Sequence, residues 1–260
     1  MICRQLFLVA RGVWLEAIRR KEIYVMVLIS CGLIAALAQV RFFGLESLSK
    51  FYRETTLHLM SLATTFTVIV LASRQLPREF ETRSIYPLLA RPLHRGTFIV
   101  GKLLGVWGAG IFCFGLFLMI YIFGSLSMGA PIYPMLLLQH SLLQVEMLLV
   151  IVSMCFLLSI LVNLDAAITF GSLIYLLSSA WVTFSNQIYG SADGMLRFVI
   201  RMTSWVLPQF MLFDLSEKNV HGDVWGALPW WVLAQMTGYA LLFSAGYILL
   251  SFMIFKRREL

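Results

Sequence analysis

Charge is scarce in this chain. Only 13% of its 260 residues are Asp, Glu, Lys or Arg, against about 25% in a soluble domain. Hydrophobic residues make up 60%, and the mean hydropathy is +0.86. That balance excludes an ordinary soluble domain and points to an integral membrane protein. Helices are the expected spans, because lipid offers no partner to an unpaired backbone group. Cysteine is sparse as well: Cys3, Cys31, Cys113 and Cys155 have no paired spacing, so neither a disulfide framework nor a metal cluster is expected. His-Glu-x-x-His, Gly-x-Ser-x-Gly and clustered Cys/His ligands are all missing. The thirteen Met residues show no Met-x-Met or Met-x-x-Met spacing and read as apolar packing. Catalysis within the membrane therefore has no support, and no resident metal or cofactor is expected. No cleavable leader is expected either, since Arg4, Arg11, Arg19, Arg20 and Lys21 interrupt any early apolar core.

The apolar runs divide the chain into six expected spans: Ile23–Val40, Thr55–Ser73, Leu103–Phe123, Met135–Leu161, Ala166–Phe184 and Trp230–Phe255. Residues 41–54 read as a short polar loop. Residues 185–229 are the longest segment outside the spans, and within them Met195–Val206 reads as an in-plane helix ended by Pro208. The N-terminal 4–21 stretch is amphipathic. Leu6, Phe7, Ala10, Val13, Trp14, Ala17 and Ile18 form one side, and Arg4, Arg11, Glu16 and Arg19 lie away from it. Gly101-x-x-x-Gly105 permits close helix contact, with packing inside one bundle and contact between copies both open.

The net charge of +7 could suggest a nucleic-acid partner. The basic residues instead sit beside the spans, so topology explains them and no nucleic acid is expected. Fourteen of the twenty Lys and Arg fall in segments 1–22, 74–102 and 256–260, and six fall on the other side. The positive-inside rule then puts both termini and the 74–102 segment in the cytoplasm.

The densest polar stretch, Arg78–Lys102, lies between the second and third spans. Ile85, Leu88, Leu89 and Leu93 recur at helical spacing, Ser84 can cap a helix start, and Pro92 would end or kink it. Gly96–Lys102 fits seven positions of a phosphate-binding loop, but Leu103 stands where Ser or Thr is needed and no strand precedes it. We read it as a chance likeness, so this chain is not expected to bind ATP.

Glu79-x-Glu81, Ser84, Leu88-Leu89-Ala90-Arg91-Pro92, Arg95 and Gly101-Lys102 resemble the first cytoplasmic loop of type-2 ABC exporter permeases. That loop commonly reads Glu-x-Glu-Arg-Gly-Thr, Leu-Leu-x-x-Pro-x-Ser-Arg, Gly-Lys. This chain has Thr82-Arg83-Ser84 in place of Arg-Gly-Thr, and His94 in place of Ser. The Leu207-Pro208…Phe213-Asp214 and Phe255–Arg258 stretches carry the resemblance into the second half. The resemblance implies an all-α membrane protein with a single permease domain over 1–260. It would have six transmembrane helices, an elbow helix at 1–22, a cytoplasmic coupling helix in the 78–96 loop, an extracytoplasmic connector at 185–229, and both termini inside. It also implies a separate ABC ATPase subunit that holds the ATP and magnesium. A second permease copy is implied too, a homodimer with a heterodimer as the alternative, in a bacterial inner membrane. Glu79, Glu81, Ser84, Leu88, Leu89, Arg91, Pro92 and Arg95 would then serve ATPase coupling, and Lys102 would anchor the third span at the headgroups.

Glu146 is the single acidic residue well inside a span, where a charge costs about 2.5–3.5 kcal/mol or more. Gln139, His140 and Gln144 precede it. Gln139, His140 and Glu146 could line a path or glue helices together; the second reading is preferred. A different function stays open: a mechanotransmitting or scaffold subunit that acts on a periplasmic partner through 185–229 and moves no substrate.

Overall fold

The computed structural model describes residues 2–19, 24, 28, 32, 45–81, 95–127, 129–189 and 193–257. Among them every regular element is helical. They are α1 (Ile2–Arg19), α2 (Leu45–Glu81), α3 (Arg95–Ser127), α4 (Pro134–Leu161), α5 (Leu164–Ile188), α6 (Gly194–Val206), a 3₁₀ turn (Phe210–Phe213), α7 (Ser216–Val220) and α8 (Trp230–Arg257). Five of these are long and apolar enough to cross a membrane: Lys50–Pro77, Gly96–Ser127, Pro134–Leu161, Leu164–Ser185 and Trp230–Lys256. The protein is thus an all-helical, multi-pass membrane protein. The expected first span, Ile23–Val40, lies outside the described residues except for Tyr24, Leu28 and Gly32, which are helical and exposed.

α4 is the hub and packs against α2, α3, α5 and α8. About 72% of its span is buried, against 17% for α5 and 22% for α8. The sequence explains why. α4 carries apolar residues all round, as a central helix should, and its Leu143, Leu148, Val150, Ile151, Val152 and Cys155 are fully buried. α5 and α8 instead leave Leu176, Leu177, Leu242 and Leu249 exposed, which suits lipid or a partner helix.

Two expected boundaries are corrected. Residues 45–54 are helix rather than loop, so α2 runs 37 residues from Leu45 to Glu81. Its polar outer turns are helical because Tyr52 and Arg53 pack inward, at 2% exposure each, instead of reaching for water. α2 also continues through Pro77, one turn before its end. Likewise α3 begins at Arg95, eight residues before the apolar run that announces it.

The glycine spacing at the start of α3 serves the chain's own packing. A Cβ on Gly101 would meet Val9 at 3.0 Å, and one on Gly105 would meet Val13 at 2.6 Å and the Ala10 carbonyl at 2.8 Å. Gly108 faces the Trp14 ring, and Trp14 stacks edge-on with Phe112 at 5.6 Å. α1 therefore runs lengthwise along the first half of α3, with Val13 and Ala17 buried between them. The missing side chains let the two backbones approach, as in small-xxx-small contacts of membrane helices.

The 207–229 segment folds back into the bundle. α6 ends at Val206 before Pro208, as expected. The chain then turns inward, and Phe210, Phe213, Leu215 and Val220 are buried against α2, α4 and α5.

Candidate functional site

Of the expected coupling residues, Glu79, Glu81 and Arg95 fall at one end of the bundle. α2 and α3 pack side by side, and residues 82–94 join the end of α2 to the start of α3. Glu79 and Glu81 occupy the last turn of α2 and Arg95 opens α3; the side chains of these three are not described. Ser84, Leu88, Leu89, Arg91 and Pro92 lie outside the described residues. What the structure fixes is the frame: thirteen residues bridge two adjacent helix ends. The phosphate-loop likeness at Gly96–Leu103 lies in the opening turns of the continuous helix α3, not in a loop between a strand and a helix, and its N–H groups beyond the first turn are committed to helix bonds.

Lys102 departs from expectation. It is 4% exposed, with Nζ 3.4 Å from both the backbone oxygen and Oε1 of Gln75 on α2, and 5.2 Å from the Phe98 ring centroid. The ammonium is held between helices rather than reaching outward to headgroups. It sits on α3's inward face, so its stem points toward α2 instead of along the surface.

Four polar residues divide between two faces of α4. Gln139 pairs its amide with the backbone of Leu228: Nε2 donates to the carbonyl at 2.9 Å, and Oε1 accepts from the N–H at 2.9 Å. Two turns on, Glu146 Oε1 accepts from Thr237 of α8 at 2.6 Å. Both face α8 and the segment leading into it, as their spacing predicts. His140 and Gln144, one turn apart, face the other way. Gln144 accepts from Ser61 of α2 at 3.1 Å, and His140 lies beside Phe114 of α3. His140 is fully buried, and neither ring nitrogen has a hydrogen-bond partner.

At the opposite end from 82–94, buried side chains grip the connector. Arg53 is the largest fully buried side chain among the described residues, and its two terminal nitrogens each donate at 2.9 Å, one to Pro131 and one to Val220. Both acceptors are backbone carbonyls, so one guanidinium fork ties α2 to the α3–α4 turn and to α7. Ser178 of α5 donates to the Pro208 carbonyl. Tyr239 of α8 accepts from the Gln209 N–H at 2.9 Å. His58 of α2 lies 3.3 Å from Asp214, whose Oδ1 also accepts from the Ser216 N–H at 2.9 Å. Burial alone would push the Asp214 carboxyl up, but His58 and the hydroxyl and N–H of Ser216 outweigh it and hold it down to about 2.

His58 and Asp214 form one wall of a cleft of about 460 Å³ between α2, α5 and the connector. Ser61, Met147, Tyr175 and Phe210 are among its other lining residues. Sequence reading missed this constellation, although Asp214 lay within a quoted stretch. Its one signal was a lone acid among apolar residues at Phe210–Leu215. Among the described residues, no three His, Cys, Asp or Glu side chains converge as a metal site.

Four long apolar helices pack around a fifth, the buried hub α4, with residues 82–94 joining two helix ends on one side and a folded connector on the other, the build of a multi-pass membrane domain. The model of the family described as ABC-2 family transporter protein matches residues 30–260. The chain belongs to that family, and so is a membrane subunit of the ABC transporter class. No curated protein matches it.

Proposed function

We propose that this chain is the membrane subunit of an ATP-driven exporter, paired with a second copy of itself and with a separate ATPase that holds ATP and magnesium. It would sit in a bacterial inner membrane with both termini and residues 78–96 in the cytoplasm. The observation that carries this reading is the bridge at 82–94. It spans the ends of two helices that continue across the membrane to the connector. A push on the bridge would tilt α2 and α3 together, because Lys102 and Gln75 join them near that end. The bias of basic residues toward this end supports the cytoplasmic assignment. α1 would serve as the elbow. Glu79, Glu81, Arg91 and Arg95 would contact the ATPase, with Ser84, Leu88, Leu89 and Pro92 shaping the helix that docks.

The test is detergent co-purification with the ATPase. Reversing Arg91 and Arg95 to Glu should lower ATPase retention about tenfold while the chain still inserts and elutes as a single species. Undiminished retention would count against these contacts.

A second reading has its own observation. The connector is tied to α2, α4, α5 and α8 by buried side chains, so tilting of the spans would reach its outer surface. α6 exposes Met195 and Phe198 there. A subunit that transmits force to a periplasmic partner would lose function when these two become Ser, with ATP hydrolysis unchanged. An exporter would keep its transport.

A further inference from the structure

α1 carries an exposed stripe in which basic and apolar residues alternate. Arg4, Phe7, Leu8, Arg11, Leu15 and Arg19 recur at three- and four-residue steps and are all exposed. Phe7 and Leu8 are 66% and 57% exposed, too open for residues of this kind to face water as a group. Behind the stripe, α1 and α3 enclose a groove of about 380 Å³, lined by Phe7, Ala10, Arg11, Trp14, Leu15, Leu104 and Gly105. Arg11 is its one charged residue, and it stands at the rim because its side chain is exposed. Gly105 shapes the groove, since a side chain there would collide with Val13 and Ala10.

We infer that this groove is a binding site for an anionic phospholipid. An acyl chain lies between Trp14 and Leu104, and the phosphate meets Arg11, with Arg4 two turns away on the same stripe. Two observations choose this occupant. The apolar lining gives a free phosphate nothing to rest on, whereas a hydrocarbon chain fills it. The charge that reaches the rim is positive, and of the other charges on this side of α1, Arg4 and Arg19 are exposed and positive while Glu16 is half-buried and negative, a net positive face that prefers a headgroup with net negative charge over a zwitterionic one. This inference rests on the chain being a membrane protein and not on any ATPase partner, so it can fail or succeed independently of the exporter reading.

The experiment uses the full chain, purified in mild detergent, delipidated, and titrated with phosphatidylglycerol, phosphatidylcholine or glycerol 3-phosphate, with bound lipid read by native mass spectrometry. The wild-type chain should retain phosphatidylglycerol at least about fivefold better than phosphatidylcholine and retain no glycerol 3-phosphate. Arg11→Glu should abolish that preference while leaving phosphatidylcholine retention unchanged. Ala10→Phe, which fills the groove, should lower retention of both lipids. Circular dichroism and gel filtration identify variants that keep the fold. Equal retention of the two lipids by the wild-type chain would mean that the groove is filled by protein or holds lipid without selection, and would overturn the proposal. So would an Arg11→Glu chain that keeps its preference, or capture of glycerol 3-phosphate alone.

Discussion

Two seams hold this bundle together by opposite means. Along α1 and α3 the contact is made by what is missing: Gly101, Gly105 and Gly108 let Val9, Val13 and Trp14 come close. Around α4 and the connector the contact is made by polar atoms: Gln139, Glu146, Arg53 and His58 each reach a partner on another element. In lipid, burying apolar surface does little to favour helix association, so either close packing or interhelical hydrogen bonds must supply it. The first seam is blind to chemistry and intolerant of volume. The second fails when one polar partner is removed and the other stays buried.

That contrast orders the expected effects of substitution. Arg53→Ala should do most, because it leaves the carbonyls of Pro131 and Val220 without their donors. A loss of about 3 kcal/mol in detergent unfolding is expected. Gly105→Ala adds one methyl 2.6 Å from Val13 Cβ and should cost about 1–3 kcal/mol by overpacking. A neutral result there would show that α1 yields freely, and the glycine seam would lose its meaning.

Asp214→Asn comes next and carries a pH signature. The folded carboxyl is held at about 2 against an ordinary 3.8, so its contribution is fully present above about pH 4 and is lost as pH falls toward 2. Because the side chain is 29% exposed, about 1–2 kcal/mol is expected at neutral pH. Unfolding curves of wild type and variant should converge between pH 4 and 2; a constant gap would mean that the effect is steric. Thr237→Val, which removes the Glu146 bond within the membrane, should do least, about 0.6 kcal/mol.

The spans from the second to the sixth were legible because uninterrupted apolar runs of that length have few other fates. The polar outer turns of α2 and α3 were not. Residues 45–54 look polar enough for a loop, yet Arg53 turns its charge inward to two carbonyls that only the folded chain brings near. Lys102 misled for the same reason: sequence shows the cation beside a span but not that Gln75 waits on the neighbouring helix. Gln139 and Glu146 were placed on one face by spacing alone, and their bonds to Leu228 and Thr237 follow that face. The inward fold of the connector was hidden because Phe210, Phe213 and Leu215 read equally well as residues resting on a lipid surface. His58 and Asp214 could not be paired by any local pattern, since nothing in the chain between them announces the contact.

The proposed coupling requires that the ATPase engage the 82–94 bridge. The most direct measurement is a disulfide cross-link between Ser84→Cys in this chain and single cysteines scanned along the ATPase surface, with ATP hydrolysis followed in lipid. The account predicts that one position cross-links efficiently, that hydrolysis stalls when the bond forms, and that reduction restores it. Failure of every position to cross-link, or hydrolysis that proceeds unchanged with the bond in place, would contradict it.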